Sequence, residues 1–303
     1  MIAAVALAAW WLSRPGATDR PIGGVYGCRG LPAFVAKQGF SAQAALSTSE
    51  RQLVGLAVVE SAGPGPPRVY QHPSWTQAGT LAPIQLDRAG NVFVVPAPQI
   101  NVLRNPPAEQ NAIYRVDGRS GEMQRFLDLP AAAAPPDVNP FGALGLAFDC
   151  DTDTLYVTSV AGSDRAREIG RIFHVDSRAA KVLSRLDNVD AIGVGVFNGV
   201  HGKRLYYGLA RLPEVWSVAL DDRGEFAGTP RLELSLESLG PRGDDKARRI
   251  RFDGAEMRIH GIEFNFNLIA PTEKQETVYR FRYDPTTDGW MRAPRDDQPV
   301  DLP

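Results

Sequence analysis

Lysine is nearly missing from this chain: five lysines stand against twenty-eight arginines in 303 residues. Acidic residues number 35, so the net charge is −2, which leaves no long-range field to gather nucleic acid or an anionic membrane. The basic stretch Lys246-Ala247-Arg248-Arg249-Ile250-Arg251 is offset by Asp244, Asp245, Asp253 and Glu256 and reads as a solvated loop. With two cysteines, Cys28 and Cys150, a four-thiolate zinc site is excluded. Helical periodicity is also lacking between the apolar runs, which excludes parallel βα architectures, since each crossover there needs an amphipathic helix. No serine sits in a nucleophile elbow and no histidine pair has zincin spacing. The glycines of Gly193-Val194-Gly195 with Gly199 have the wrong last spacing for a dinucleotide loop.

What is present is a phrase said four times. Ile113-Tyr114-Arg115-Val116-Asp117 has near copies at Ile172-Phe173-His174-Val175-Asp176, at Val215-Trp216-Ser217-Val218 and at Val278-Tyr279-Arg280-Phe281. Each is a β-branched and aromatic run ending in a turn, as a strand entering a hairpin reads. Two apolar strands joined by a polar hairpin precede each copy: Gly145 to Phe148 and Thr154 to Val157 before the second, Gly193 to Phe197 and Arg204 to Tyr207 before the third. The last unit opens at Gly261-Ile262-Glu263-Phe264. Repeats about 40–60 residues apart, four antiparallel strands each, specify an all-β chain folded as a β-propeller. Five units can be pointed at, and a sixth can be assembled from the N-terminal arm and the charged 236–260 segment. Five and six blades both stay open on these residues, and the family resemblance given below favours six.

The expected organisation is a signal peptide or signal anchor at 1–20, an arm at 21–50, one propeller at 51–297 and a tail at 298–303. Met1 to Leu12 is apolar throughout and stops at Ser13-Arg14-Pro15. It is shorter than the roughly 20 residues that cross a bilayer and fits an export signal or a membrane tether, so a periplasmic or secreted location is expected. In such a compartment Cys28 and Cys150 can pair as a disulfide.

The loops at Pro96 to Asn111, Pro130 to Leu144, Ser159 to Gly170, Leu236 to Ile259 and Ile269 to Thr277 fall at one end of the blades. That loop-rich face is where function is expected. There His260 and Asp190 are candidates for acid–base work. Asn139, Asp187, Arg104, Arg165, Arg211 and Arg258 are candidates for contacts to an anionic or sugar-acid ligand. Asp149, Asp151 and Asp153 alternate as carboxylates do around a hard cation, so Ca2+ or another divalent metal is the one cofactor suggested. Thr154 stands where a calcium loop carries Gly, and Val160 where it carries Glu, which favours a hairpin tip.

At Gly145 to Phe148 with Thr154 to Val157, and at Gly90 to Val94 with Ile113 to Asp117, the chain resembles the six-bladed senescence-marker-like gluconolactonases and NHL-type propellers, over residues 80–293. The resemblance implies a divalent metal at the central channel, held by Glu, Asn and Asp. The matching positions here are Leu144, Ile192 and His260, of which only His260 can ligate a metal. Two functions follow: an exported, non-catalytic propeller binding a small molecule or a protein partner, or a metal-dependent lactonase or esterase with an altered centre.

Overall fold

The structure is a computed structural model that describes residues 20–50, 53–61, 63, 65–97, 106–267, 276–293 and 299–300. After a two-residue strand β1 (Gly23–Gly24) and a five-residue helix α1 (Ala33–Lys37), the chain lays down five sheets in sequence. Blade one holds β2 (Ala45–Ser47), β3 (Ala57–Glu60) and β4 (Arg68–Tyr70). Blade two holds β5 (Leu81–Leu86), β6 (Val92–Pro96), β7 (Ala112–Val116) and β8 (Met123–Asp128). Blade three is β9 (Ala143–Asp149), β10 (Thr154–Ser159), β11 (Arg171–Asp176) and β12 (Lys181–Asp187). Blade four is β13 (Ala191–Gly199), β14 (Gly202–Leu209), β15 (Glu214–Leu220) and β16 (Phe226–Ser235). Blade five is β17 (Lys246–Asp253), β18 (Glu256–Ile262), β19 (Glu276–Asp284) and β20 (Gly289–Arg292), with β21 (Pro299–Val300) also paired to β19. All pairings are antiparallel and neighbours in sequence are neighbours in space. Among the described residues the count is therefore five, the smaller of the two expected, with three strands in the first blade.

The four repeated phrases are the third strands β7, β11, β15 and β19. Their apolar positions face neighbouring blades, so burial is shared across interfaces rather than enclosed within a sheet. Val58 and Val94 join blades one and two. Phe93 and Phe148 join two and three, Ala147 and Val196 three and four, and Phe197 and Phe252 four and five. Among the described residues no such apolar cluster joins blade five to blade one.

The arm crosses the hairpin end and enters one interface after another. Val25 packs between blades three and four, Tyr26 between four and five, Cys28 between two and three, and Phe34 and Val35 between one and two. Its strand β1 pairs with β13, setting Gly23 opposite Asn198 and Gly24 opposite Phe197. Glycine is required there, because a Cβ on Gly24 would stand 2.8 Å from the Cβ of Phe252. Cys28 and Cys150 form a disulfide with Cα atoms 5.7 Å apart, tying the arm to the β9–β10 hairpin.

One reading of the sequence is corrected. The last unit does not open at Gly261; its innermost strand is β17, inside the charged stretch read as a loop, and Glu256 to Ile262 is the second strand. Ile250 and Phe252 alternate with Arg249 and Arg251, so the strand period is present but its second face is cationic rather than apolar.

Candidate functional site

The innermost strands β2, β5, β9, β13 and β17 surround a cavity of about 830 Å³, to which the arm adds Tyr26, Arg29, Gly30 and Leu31. This is within the range of small-molecule sites. At the loop-rich end lies an apolar cluster of Val160, Ile192, Ala210 and Phe266, with Phe141, Leu144 and Phe264 packed on it. Leu144 and Ile192, which match metal-ligand positions of the resembling family, thus belong to an apolar cluster. The cavity lining runs the other way, through Leu86, Phe148, Val196 and Asp253, toward the hairpins and the arm.

Charge in this cavity comes from blade five. Register places Arg249 opposite His260, and Arg251 opposite Arg258, which is opposite Arg280. These residues alternate with Ile250, Phe252, Met257 and Ile259, which are buried against blade four. A β-bulge between Ala247 and Arg249 puts two consecutive arginines within reach of one carboxylate. Arg248 Nη1 and Arg249 Nη2 lie 3.6 and 3.8 Å from Glu276 Oε1, while His260 Nδ1 is 2.9 Å from Glu276 Oε2. Burial raises the Glu276 pKa, but the His260 hydrogen bond and the Arg249 and Arg248 charges outweigh it and bring it down to about 2.

The remaining cations are short of partners. Arg258 is neutralised by Glu256 at 2.6 Å and Asp253 at 3.0 Å. Arg251 and Arg29 have no carboxylate within ion-pair distance among the described residues; Arg29 only lies over the Tyr26 ring, 4.7 Å from its centroid. Burial, opposed by Tyr26 and reinforced by Arg251, lowers the Arg29 pKa to about 10. Burial and Arg249 likewise lower that of Arg251, and burial and Arg249 that of Arg248. Arg29 and Arg251 are both exposed to the water of the cleft they line.

The other residues singled out in the sequence fall elsewhere. Asp190 is fully buried; its carboxylate accepts from Ser163 Oγ at 2.5 Å, Gly170 N at 2.9 Å and Arg211 Nε at 2.8 Å, and burial raises its pKa. Arg211 also donates to the carbonyls of Asp164, Arg165 and Arg167, so Arg165 enters this clasp only through its backbone. Asn139, equally buried, donates to the carbonyls of Val160 and Ser163 and accepts from Phe141 N. Asp187 pairs with Arg171 and Arg185 at the end of β12. The structure thus brings Asp190, Arg211 and Asn139 together as a loop-bracing network, and His260 with Arg258 at the cavity; Arg104 lies outside the described residues.

The alternating aspartates do not converge. Lys203 Nζ sits 2.8 Å from Asp149 and 3.0 Å from Asp151, supplying the positive charge there, while Asp153 pairs with Arg88 and Arg178. Among the described residues no group of three or more His, Cys, Asp or Glu is arranged to hold a metal. Arg29, Arg248, Arg249, Arg251 and Glu276 were not singled out by the sequence; the available signal was the alternation of arginine with Ile250 and Phe252.

Antiparallel blades whose innermost strands share one cavity define this molecule as a β-propeller. Among solved structures it is similar to gluconolactonase-type propellers. One is a putative 6-phosphogluconolactonase from Bacteroides uniformis (12% identity, TM-score 0.47, 83% of this chain and 67% of that one). Another is a putative 6-phosphogluconolactonase from Bacteroides fragilis (12%, 0.48, 85% and 69%), and a third the periplasmic gluconolactonase of Pseudomonas aeruginosa (16%, 0.36, 60% and 51%). Likenesses this distant carry neither the fold assignment nor an activity to this chain. No family model and no curated protein matches the sequence.

Proposed function

We propose that this protein is an exported β-propeller that binds a small anionic molecule in its axial cavity without transforming it. The observation that carries the reading is the charge balance of the cavity: Arg29 of the arm and Arg248, Arg249, Arg251 and Arg258 of blade five line it, against Asp253, which pairs with Arg258, and Glu276, which lies 3.6 and 3.8 Å from Arg248 and Arg249. Like charges placed opposite or beside one another on a sheet destabilise it, and an anion entering the cleft relieves that repulsion with charge-assisted hydrogen bonds. The N-terminal apolar run and the Cys28–Cys150 pairing support export. In this reading the ligand enters at the hairpin end, opposite the loops where the sequence suggested it.

A second reading, lactone or ester hydrolysis, is favoured by one observation: His260 lines the cavity and is held by a buried carboxylate, the arrangement of an oriented general base. His260 would take a proton from water attacking the carbonyl carbon and return it to the departing alkoxide. The apolar side chains of Leu144 and Ile192 at the positions that match metal ligands count against the metal-dependent form of that reaction.

Calorimetric titration with aldonic acids, sugar phosphates and matched neutral sugars tests the proposal. Binding confined to the anions, lost in Arg251→Gln and without lactone turnover, is expected. Lactone turnover abolished in His260→Ala would favour the hydrolase, and equal binding of neutral sugars would contradict an anion site.

A further inference from the structure

The arm is built into the cavity wall, and its geometry gives it a part in recognition. Tyr26 and Arg29 line the cavity and belong to a segment anchored on both sides of the arginine. Before it stand the β1 pairing to β13, Val25 N donating to Val196 O at 3.4 Å, Cys150 N donating to Val25 O at 2.9 Å, Cys28 N donating to Cys150 Sγ at 3.2 Å and the disulfide one residue away; after it Phe34 N donates to Gly118 O at 3.0 Å. Arg29 itself has no carboxylate partner among the described residues. Arg251, near enough that its charge acts on Arg29, likewise has no carboxylate partner among the described residues, and Arg249 shares Glu276 with Arg248 and His260. Three guanidiniums from two separately anchored elements therefore border one space.

We propose that Arg29, held over the cleft by the Cys28–Cys150 disulfide, completes with Arg249 and Arg251 a binding site for an oxyanion carrying two negative charges, the disulfide acting as the positioning element that sets affinity. This rests on the reading of the cavity as an anion site and adds to it the ligand's charge and the role of the arm. A single negative charge would leave most of the repulsion in place. A doubly charged group with several acceptor oxygens can receive N–H donors from both walls at once, and Arg is suited to such polydentate contacts. Joining the walls also restricts the arm, so whatever loosens the arm must weaken the anion by the same factor.

The probes are inorganic phosphate and sulfate, titrated calorimetrically at pH 8 and low ionic strength, where screening is least. The proteins are the wild type, Arg251→Gln, Arg29→Gln, Arg29→Lys, the double variant Cys28→Ser/Cys150→Ser, and Arg125→Gln as a surface control remote from the cavity. We expect both dianions to bind the wild type and the control alike, and Arg251→Gln and Arg29→Gln each to weaken binding about tenfold or more. The disulfide variant should match Arg29→Gln, and Arg29→Lys should fall between. If the wild type binds and Arg251→Gln does not, while Arg29→Gln and the disulfide variant bind as the wild type, the arm has no part and this inference fails while the anion site stands. If neither dianion binds the wild type, the anion site itself fails and the inference with it. Should the disulfide variant not fold, the two Arg29 variants decide, since that side chain is packed into no core.

Discussion

The two faces of blade five differ in kind. One carries Ile250, Phe252, Met257, Ile259, Tyr279 and Phe281, closed against blade four with Phe197 and Tyr206. The other, one residue out of phase on the same strands, carries Arg249, Arg251, Arg258, His260 and Arg280. Among the described residues it meets no apolar partner from blade one. The first face explains why the strands exist; on the second, Arg251 has no carboxylate partner among the described residues and stands opposite Arg258, whose charge Glu256 and Asp253 answer. That contrast separates the part of the sequence selected for packing from the part left for a ligand.

Four perturbations press on the contrast, from the largest expected effect to the smallest. Phe252 is buried within an aromatic group that includes Phe197, Tyr206 and Trp290. Phe252→Ala should cost about 3–5 kcal/mol in chemical denaturation, whereas a change at its neighbour Arg251 should cost nothing. Replacing Cys28 and Cys150 by serine should lower stability by about 2–4 kcal/mol, through the unfolded chain and the freed arm; a thermal melt with and without reductant reads it. Glu276→Gln removes the counter-charge of Arg248, Arg249 and His260 and should cost about 1–3 kcal/mol. The carboxyl pKa is depressed in the folded state, so its contribution is complete above the ordinary value of 4.5 and disappears as pH falls toward about 2. Acid titrations of the wild type and Glu276→Gln should therefore diverge above that window and converge below it. Arg251→Gln should raise stability at low salt by up to about 1 kcal/mol by relieving repulsion, the sign opposite to Phe252→Ala one position away.

The legibility of the sequence followed the same division. The third strands β7, β11, β15 and β19 were plain because their residues alternate into two packed interfaces and so stay apolar or aromatic. Innermost strands with neutral lining, such as β9 and β13, were equally readable. The strand β17 was not, because three of its residues facing the cleft are arginines or aspartate and the run looked like a solvated loop; the same misreading supplied the material for a sixth blade. His260 and Arg258 came into view through their position beside that segment. Asp190, Asn139 and Arg211 stood out as polar residues of the loop-rich face, and what that signal reports is loop bracing: their donors and acceptors are consumed by Ser163, Gly170 and backbone carbonyls. Arg29 carries no local pattern at all; only the course of the arm across four interfaces brings it to the cavity.

The most direct test of the anion site is crystallographic. Crystals soaked in a few millimolar tungstate, a heavy doubly charged oxyanion, should show their strongest anomalous peak between Arg29, Arg249 and Arg251, and lose it in Arg251→Gln. Strong peaks only at other surfaces, with the cleft of blade five empty, would contradict the account.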